Sequence, residues 1–242
     1  MELLIDIGNT AAKIGYFDGK ITKVDVFPIS DILSNKFNIL LDNVSSIYIS
    51  SVVPDANKII KKYFESIGIK DIRFVNTSQS VNFALDIDNK DELGTDLFSD
   101  IAGGLSLYKA PLLIVDLGTA SKILFVDKNS SFKSCAILPG LALAFKSLAN
   151  NTALIEHYDF ATPKPLLECK NTKEVITSSA IYGHAEMING LIRRYRQEIG
   201  YEVKIILTGG YAEKIKQYFD FEFDYVKNLT LIGISEIFKG SK

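Results

Sequence analysis

A strand that ends in Asp-x-Gly opens this chain, and a second copy of it lies near the middle. Residues 3–8 read Leu-Leu-Ile-Asp-Ile-Gly, and residues 113–118, which lie 110 positions later, read Leu-Ile-Val-Asp-Leu-Gly. A threonine and another apolar stretch follow each glycine, and Asn9 is an additional residue in the first copy. A strand-turn-strand pattern repeated at this distance predicts two similar domains rather than a solenoid of short repeats.

The rest of the chain favours an α/β protein with two domains, residues 1–110 and residues 111–242. Asp18-Gly19 is a strong hairpin signal, so we expect three antiparallel strands in the first 27 residues. Apolar residues at helical spacing between 55 and 67 predict a helix, and another is expected to start near Thr95. A long helix is expected to follow Thr172, which would be its N-cap.

Composition excludes several functional classes. The chain has 242 residues, of which 47% are hydrophobic, and a formal net charge of −2. It therefore has enough apolar surface to fold, and it lacks the cationic excess with which proteins bind nucleic acid phosphates. No apolar stretch reaches the roughly 18–20 residues of a membrane span. Cys135 and Cys169 lack the spacing of a zinc site or a disulfide framework. We therefore expect a cytoplasmic protein that binds neither nucleic acid nor membrane.

Both Asp-x-Gly turns have the composition of a phosphate site. Each places a carboxylate at a strand end, followed by small residues whose backbone N–H groups can approach an anion. A carboxylate that faces phosphate requires a cation between them, so two such turns predict a site for a polyphosphate and its cation. Gly209-Gly210 is a third tight turn, which could seat an adenosine. An ordinary Asp-Gly turn is the alternative, and it fits one copy alone better than two copies together.

Asp96 is the candidate catalytic residue. It follows Gly94-Thr95 at the expected start of a helix. A carboxylate at that place can cap the first helical turn. It can also take the proton of a substrate hydroxyl, as phosphoryl transfer to an alcohol requires. The residues themselves leave both roles open.

The order and spacing of these segments resemble the type III pantothenate kinases, in the acetate kinase/sugar kinase/Hsp70/actin superfamily. Asp6-Ile7-Gly8-Asn9-Thr10 is similar to their first phosphate motif and Asp116-Leu117-Gly118-Thr119-Ala120 to their second, and Leu93-Gly94-Thr95-Asp96 resembles their Gly-x-Asp-Arg motif. Further similar segments are Ile137–Leu141 with Leu148 and residues 152–154, Asn171-Thr172 with Gly183, residues 207–210 and residues 228–233. The resemblance extends from residue 3 to about residue 238.

The resemblance implies a fold and a reaction. The fold is α/β, with two ribonuclease H-like (actin-like ATPase) domains, each a mixed five-stranded sheet with flanking helices. The reaction is ATP-dependent phosphorylation of pantothenate to 4'-phosphopantothenate, the first step of coenzyme A biosynthesis. Mg2+ would accompany ATP, a monovalent cation (K+ or NH4+) would bind Asp116, and the chain would form a homodimer.

The resemblance also implies roles for individual residues. Asp96 would be the catalytic base. The nucleotide would bind Thr119 and the residues of the first turn, which are Asp6, Ile7, Gly8, Asn9, Thr10, Ala11, Ala12 and Lys13. The acceptor substrate would contact Gly94, Thr95, Asp96, Leu97 and Thr172, the last of these across the dimer.

Two positions depart from the family pattern. The arginine that follows the family's aspartate is Leu97 here, and an aromatic substrate contact aligns with Ile87. Arginine is the preferred bidentate partner of a carboxylate such as that of pantothenate, and none of the chain's four arginines lies in the three motifs. Two alternatives therefore stay open: a non-catalytic nucleotide-binding relative, and a kinase for a related acceptor without the carboxylate, such as pantetheine.

Overall fold

The first 28 residues form the three antiparallel strands that the hairpin signals predict. In the computed structural model, which describes residues 1–39, 43–151 and 161–239, these are β1 (Glu2–Ile7), β2 (Ala11–Phe17) and β3 (Ile21–Pro28). Gly19 lies in the turn between β2 and β3 with a φ of 70°, a left-handed conformation that side chains with a Cβ rarely adopt. The Asp18-Gly19 pair therefore forms the predicted hairpin because glycine can adopt the left-handed conformation that the turn requires.

These three strands belong to a mixed five-stranded sheet with the order β3-β2-β1-β4-β5. After α1 (Ile29–Leu33), β4 (Ser46–Ser51) runs parallel to β1, and α2 (Pro54–Ser66) connects it to β5 (Asp71–Phe74), which runs parallel to β4. The apolar face of α2 contains Ala56, Ile60 and Phe64, which are fully buried in the same core as the side chains of β1 and β4. The helix predicted over residues 55–67 is thus confirmed, and its spacing explains how it covers the sheet.

The second sheet has the order β11-β10-β7-β8-β9-β6. Its strands are β6 (Ala84–Leu85), β7 (Leu112–Leu117), β8 (Ala120–Val126), β9 (Ser131–Pro139), β10 (Lys204–Thr208) and β11 (Asp224–Tyr225). Two sheets with flanking helices are as expected, but this one has six strands rather than five. The reason is an edge pairing, in which Ala84 N–H donates to Ser130 O at 3.1 Å and Asp86 N–H donates to Phe132 O at 3.0 Å. A two-residue strand from the first half of the chain thereby covers the edge of β9.

The remaining helices are α3 (Thr95–Leu107), α4 (Leu141–Asn151), α5 (Thr172–Ile199), α6 (Ala212–Ile215) and α7 (Leu229–Phe238). The cap of α5 is Asn171 rather than the expected Thr172. Asn171 has an extended backbone, so its side-chain oxygen can accept a hydrogen bond from Glu174 N–H, at 3.0 Å. Among the described residues, none of the helices combines the length and the hydropathy needed to cross a membrane.

Both halves of the chain repeat one strand order. Without β6, the second sheet reads β9-β8-β7-β10-β11, which matches β3-β2-β1-β4-β5 strand for strand. The turns match as well, because Gly8 N–H donates to Ala11 O at 3.0 Å and Gly118 N–H donates to Ala120 O at 3.1 Å. The first turn is one residue longer, as the additional Asn9 predicts. The repeat in the sequence is therefore a repeat of the fold.

The structure divides into two compact units. The first comprises the described parts of Met1–Leu112, Leu124–Ser134 and Asn228–Lys242, and the second comprises Leu113–Ile123 and the described parts of Cys135–Lys227. The last helix, α7, thus belongs to the first unit, where it packs against α3. The domain boundary between residues 110 and 111 stays a prediction.

Candidate active site

The first Asp-x-Gly turn lies at the carboxyl end of β1. The hydrogen bond from Gly8 N–H to Ala11 O closes this turn. Asn9 and Thr10, which lie between those two residues, are exposed. A tight turn with exposed backbone and hydroxyl groups suits an anion. The structure therefore leaves the centre of the predicted phosphate segment, residues 6–13, accessible to a ligand.

Asp6 lies between a lysine and a serine on one face of the first sheet. The strand register places Lys13 of β2 opposite Asp6 on one side and Ser50 of β4 opposite it on the other. Residues directly opposite one another in neighbouring strands direct their side chains to the same face. A carboxylate, an ammonium group and a hydroxyl group are thus adjacent at this strand end. Of these groups, the Lys13 ammonium group offers donors to phosphate oxygens, and the Asp6 carboxylate offers a ligand to the cation that accompanies phosphate.

Thr95 connects the start of α3 to the end of β4. Its Oγ1 accepts a hydrogen bond from Ser51 N–H at 3.0 Å and donates to Ser51 O at 3.1 Å. Ser50 Oγ, which is fully buried, lies 3.0 Å from the same hydroxyl oxygen and donates to it. These bonds join residues that lie 44 and 45 positions apart. They bring the Gly94-Thr95-Asp96 segment to the strand that neighbours Asp6.

Asp96 lies in the first turn of α3 and is half-buried. Gly94 is the N-cap residue, and it makes no side-chain capping bond. A Cβ at Gly94 would collide with Oδ1 of Asp96, so a glycine there leaves room for the carboxylate. Leu97, where the family has arginine, is only 6% exposed and packs into the core. Its side chain therefore contributes packing to α3 rather than a charge to the site.

The second Asp-x-Gly turn packs against Gly140. Gly140 N–H donates to Thr119 O at 3.1 Å, and a Cβ at Gly140 would collide with the carbonyl oxygens of Gly118 and Thr119. The Pro139-Gly140 pair at the end of β9 thus needs glycine for a close backbone approach. Thr119 itself is exposed. The family segment around Pro139 therefore packs against the second turn. Residues 152–154 of that segment lie outside the described residues.

The third predicted turn, Gly209-Gly210, packs against the end of β7. The φ of Gly209 is 99°, and a Cβ there would collide with backbone atoms of Leu117. Tyr211 N–H also donates to Leu117 O, at 2.9 Å. The second unit therefore brings together three segments that the sequence singled out separately, which are the Asp116–Thr119 turn, the Pro139-Gly140 pair and the Gly209-Gly210 turn.

Asp116 accepts a hydrogen bond from a lysine. Lys122 Nζ of β8 lies 2.9 Å from Asp116 Oδ2, and each of these side chains is only 14% exposed. A Cβ at Gly118 would lie 3.8 Å from both carboxylate oxygens of Asp116, so this ion pair lies beside the turn. Lys122 was not among the predicted site residues. Its position opposite a strand-end aspartate, like that of Lys13, is the signal that could have identified it.

Thr172 is the first residue of α5 and is exposed. Its hydroxyl is thus accessible, as a contact to substrate would require.

Two pairs of polar residues in the structure were not predicted from the sequence. One is Ser50-Ser51, which a pair of hydroxyl residues at the end of an apolar strand could have suggested. The other is Ser121 and His184, both buried, with Oγ 2.9 Å from Nε2. Burial lowers the pKa of His184 below its ordinary value of 6.5.

Solved structures share this fold. The chain aligns with a Campylobacter jejuni protein assigned to the Baf family of transcriptional activators, with a TM-score of 0.63, 22% identity and coverage of 99% of this chain and 98% of that one. It also aligns with component A of (R)-2-hydroxyglutaryl-CoA dehydratase from Acidaminococcus fermentans, with a TM-score of 0.55, 12% identity and coverage of 100% and 99%. These likenesses concern the fold alone, which is that of the actin-like ATPases and sugar kinases.

Sequence relatives identify the family. The type III pantothenate kinase of Acholeplasma laidlawii is 31% identical over 251 residues, which cover 99% of this chain and 98% of the relative. That of Thermomicrobium roseum is 30% identical over 253 residues, which cover 99% and 97%. Residues 2–194 match the family pattern described as type III pantothenate kinase. These matches span both Asp-x-Gly turns and the segment that bears Asp96, and so the chain belongs to the type III pantothenate kinase family.

Proposed function

We propose that this chain transfers the γ-phosphoryl group of ATP to the primary hydroxyl of pantothenate, which yields 4'-phosphopantothenate in the first step of coenzyme A biosynthesis. The observation that carries the proposal is the set of three hydrogen bonds between Thr95 and the Ser50-Ser51 pair. They hold the first turn of α3, with Asp96, at the end of the strand beside Asp6. A candidate base and a candidate phosphate turn thus lie at neighbouring strand ends within one unit.

The first turn supplies the nucleotide site in this proposal. Residues 6–13 bind the phosphates of ATP through backbone N–H groups and through the ammonium group of Lys13. Thr119 of the second turn also binds the nucleotide. No three His, Cys, Asp or Glu side chains form a ready metal cluster among the residues that the structure describes. Mg2+ in kinases needs only one or two carboxylates in addition to the phosphates, and Asp6 fits that role.

Asp96 is the catalytic base of the proposed reaction. Its carboxylate takes the proton of the acceptor hydroxyl while the hydroxyl oxygen forms a bond to the γ-phosphorus. The bond between that phosphorus and the bridging oxygen breaks, and ADP leaves with the electron pair. Gly94 supports this role because it leaves space for the carboxylate, and Thr95 supports it because it positions the helix that bears Asp96.

The acceptor contacts Gly94, Thr95, Asp96, Leu97 and Thr172 in this proposal. Because Leu97 is buried and uncharged, its contact is through the backbone. Three of the arginines already form ion pairs, which are Arg73 with Asp71, Arg193 with Asp220 and Arg194 with Glu198. The carboxylate of pantothenate is therefore left to backbone N–H groups, a lysine, or the Arg193–Arg196 cluster of a neighbouring subunit, in which Arg196 is the fourth arginine. A homodimer would bring Thr172 from one subunit to the acceptor of the other, and light scattering on the eluting protein would report one chain or two.

An acceptor-dependent assay tests the function. Purified protein with Mg-ATP should release ADP when pantothenate is added, and release it more slowly when pantetheine replaces pantothenate. ADP release with pantetheine alone would instead assign the related acceptor. Thermal stabilisation by ATP without ADP release for either acceptor would instead favour a non-catalytic nucleotide-binding protein, since a ligand stabilises the fold whether or not it reacts. A cytoplasmic location is part of the proposal and would be tested by cell fractionation.

A further inference from the structure

The family resemblance implies a monovalent cation at Asp116, but in this structure the Asp116 carboxylate is already hydrogen-bonded to a cationic side chain. Lys122 Nζ lies 2.9 Å from Asp116 Oδ2. Charge-assisted hydrogen bonds of this kind are among the stronger ones in proteins. The donor set at Asp116 therefore does not fit a free K+ or NH4+ ion, because that ion would approach an ammonium group of the same charge.

Burial makes this ion pair difficult for a dissolved ion to displace. Each of the two side chains is 14% exposed. The Lys204–Asp224 pair in the same unit has the same 2.9 Å separation, but its side chains are 42% and 43% exposed. A K+ ion that replaced Lys122 would leave a largely buried ammonium group without its carboxylate, which is costly in a region of low dielectric constant. The tethered ammonium group also has a high effective concentration at Asp116, since both residues lie on strands of one hairpin.

The position of the pair relates it to phosphate binding. Both carboxylate oxygens of Asp116 lie next to Gly118 of the second turn. A carboxylate so close to a phosphate turn repels the ligand unless a positive charge compensates it. The Lys122 ammonium group is at hydrogen-bond distance from that carboxylate, so it supplies the charge from within the chain.

We propose that Lys122 takes the place of the monovalent cation, so that this kinase binds ATP and turns over without K+ or NH4+. The inference rests on the proposed function for turnover, but its consequence for ATP binding can be measured separately.

The first experiment uses the unmodified protein. ADP release with pantothenate and ATP affinity by calorimetry are compared in choline chloride, KCl and NH4Cl at equal ionic strength, so that general screening is constant. We expect both quantities to change by less than about threefold among the salts, because the charge at Asp116 is already present. An increase of about threefold or more with K+ or NH4+, in either quantity, would overturn the proposal.

The second experiment removes the ammonium group. Lys122→Ala leaves Asp116 without its internal partner and leaves space for an ion. We expect turnover in choline chloride to fall by about 100-fold, comparable with the loss of one charge-stabilising donor, and to recover at least about tenfold when KCl or NH4Cl is added. Lys204→Ala is the matched control, since it removes the lysine of an exposed pair with the same separation. The control should respond to salt as the unmodified protein does. If Lys122→Ala turned over normally in choline chloride, Lys122 would not be the compensating charge.

The readouts separate this inference from the proposed function. Equal ATP affinity in all salts, without ADP release for any acceptor, would reject the kinase activity and retain the role of Lys122. ATP binding only with K+ or NH4+ would reject the role of Lys122 and leave the activity open to measurement in those salts. Absence of ATP binding in every salt would reject both. If Lys122→Ala did not fold, the salt comparison on the unmodified protein would still decide.

Discussion

Thr95 is the residue on which the position of Asp96 depends. Its hydroxyl group donates one hydrogen bond and accepts two, all at 3.0 or 3.1 Å, with the end of β4. Removal of that hydroxyl leaves Ser50 Oγ, which is fully buried, and Ser51 N–H without their partner. The start of α3, which bears Asp96, would then shift relative to the first Asp-x-Gly turn.

Thr95→Val tests this positioning role. We expect kcat to fall by about tenfold or more, because a displacement of about 1 Å at a catalytic group strongly lowers the rate. Thr95→Ser keeps the hydroxyl and should recover most of the lost kcat, with KM for ATP little changed in both variants. Equal kcat for Thr95→Val and Thr95→Ser would contradict the positioning role, because a purely steric effect would not distinguish them in this way.

Asp96→Asn tests the catalytic base. The amide cannot accept the proton of the acceptor hydroxyl, so we expect turnover to fall by about 10²- to 10⁴-fold while ATP affinity is retained. Asp91→Asn is the control, because Asp91 is an exposed aspartate in the short 3-10 turn before α3. It should leave turnover unchanged. Normal turnover of Asp96→Asn would remove Asp96 from the mechanism and leave it a capping role.

At the scale of elements, α3 and α7 cross at their glycines. A Cβ at Gly103 of α3 would lie 2.6 Å from Leu229 O of α7, and a Cβ at Gly233 of α7 would collide with Ser99 O of α3. Near the same crossing, Thr230 Oγ1 donates to Oδ1 of the fully buried Asp100 at 2.7 Å. Backbone contact of this closeness is available only to residues without a side chain. The last helix of the chain can therefore join the first unit only with glycine at the crossing.

Gly233→Ala should destabilise the protein. Alanine has a helix propensity better than that of glycine by about 1 kcal/mol, but the overpacking at Ser99 O costs about 3 kcal/mol. We expect the free energy of unfolding, measured with urea, to fall by about 2 kcal/mol as the difference of these terms. Gly190→Ala in α5 is the control, because a Cβ there meets nothing nearer than 4.0 Å. The control should be neutral or more stable, and a Gly233→Ala protein as stable as that control would refute the crossing argument.

The sequence predicted some helices and strands better than others. The Asp18-Gly19 hairpin and α2 were predicted correctly because their signals, a turn pair and a 3.6-residue apolar spacing, lie within a few consecutive residues. β6 was not predicted, because a two-residue strand has no pattern of its own and exists only where the edge of β9 is available. The cap of α5 was misplaced by one residue, since Asn171 and Thr172 are both good caps by type and only backbone conformation distinguishes them.

At the scale of the whole molecule, His184 couples stability to pH. His184 is 6% exposed, and its Nε2 lies 2.9 Å from Ser121 Oγ. Burial lowers the pKa of His184 in the folded protein below 6.5, the ordinary value that applies to the unfolded chain. Between the folded and the unfolded pKa, the unfolded chain binds a proton and the folded protein does not. The free energy of unfolding should therefore fall as the pH is lowered from about 7.5 to about 5.5. Carboxylates with lowered pKa values, such as Asp25 and Asp71, change the free energy of unfolding only at lower pH, below their ordinary pKa of 3.8.

His184→Gln isolates this contribution. Glutamine can keep a hydrogen bond with Ser121 but does not titrate, so the dependence of stability on pH between about 5.5 and about 7.5 should be weaker than in the unmodified protein. Denaturant unfolding at the two pH values measures it. Identical pH dependence in the two proteins would show that other groups cause it.

The sequence by itself determined the repeated strand-turn-strand opening and the family, and it predicts a phosphate site at both turns. Those properties reside in short runs of neighbouring residues, where turn types and side-chain alternation are local. Only the tertiary structure decided that Thr95 bonds to Ser50 and Ser51, that the Lys122 ammonium group binds Asp116, and that α7 joins the first unit. Strand order, register and helix crossing depend on how the whole core packs, and packing joins residues as far apart as the 130 positions between Asp100 and Thr230.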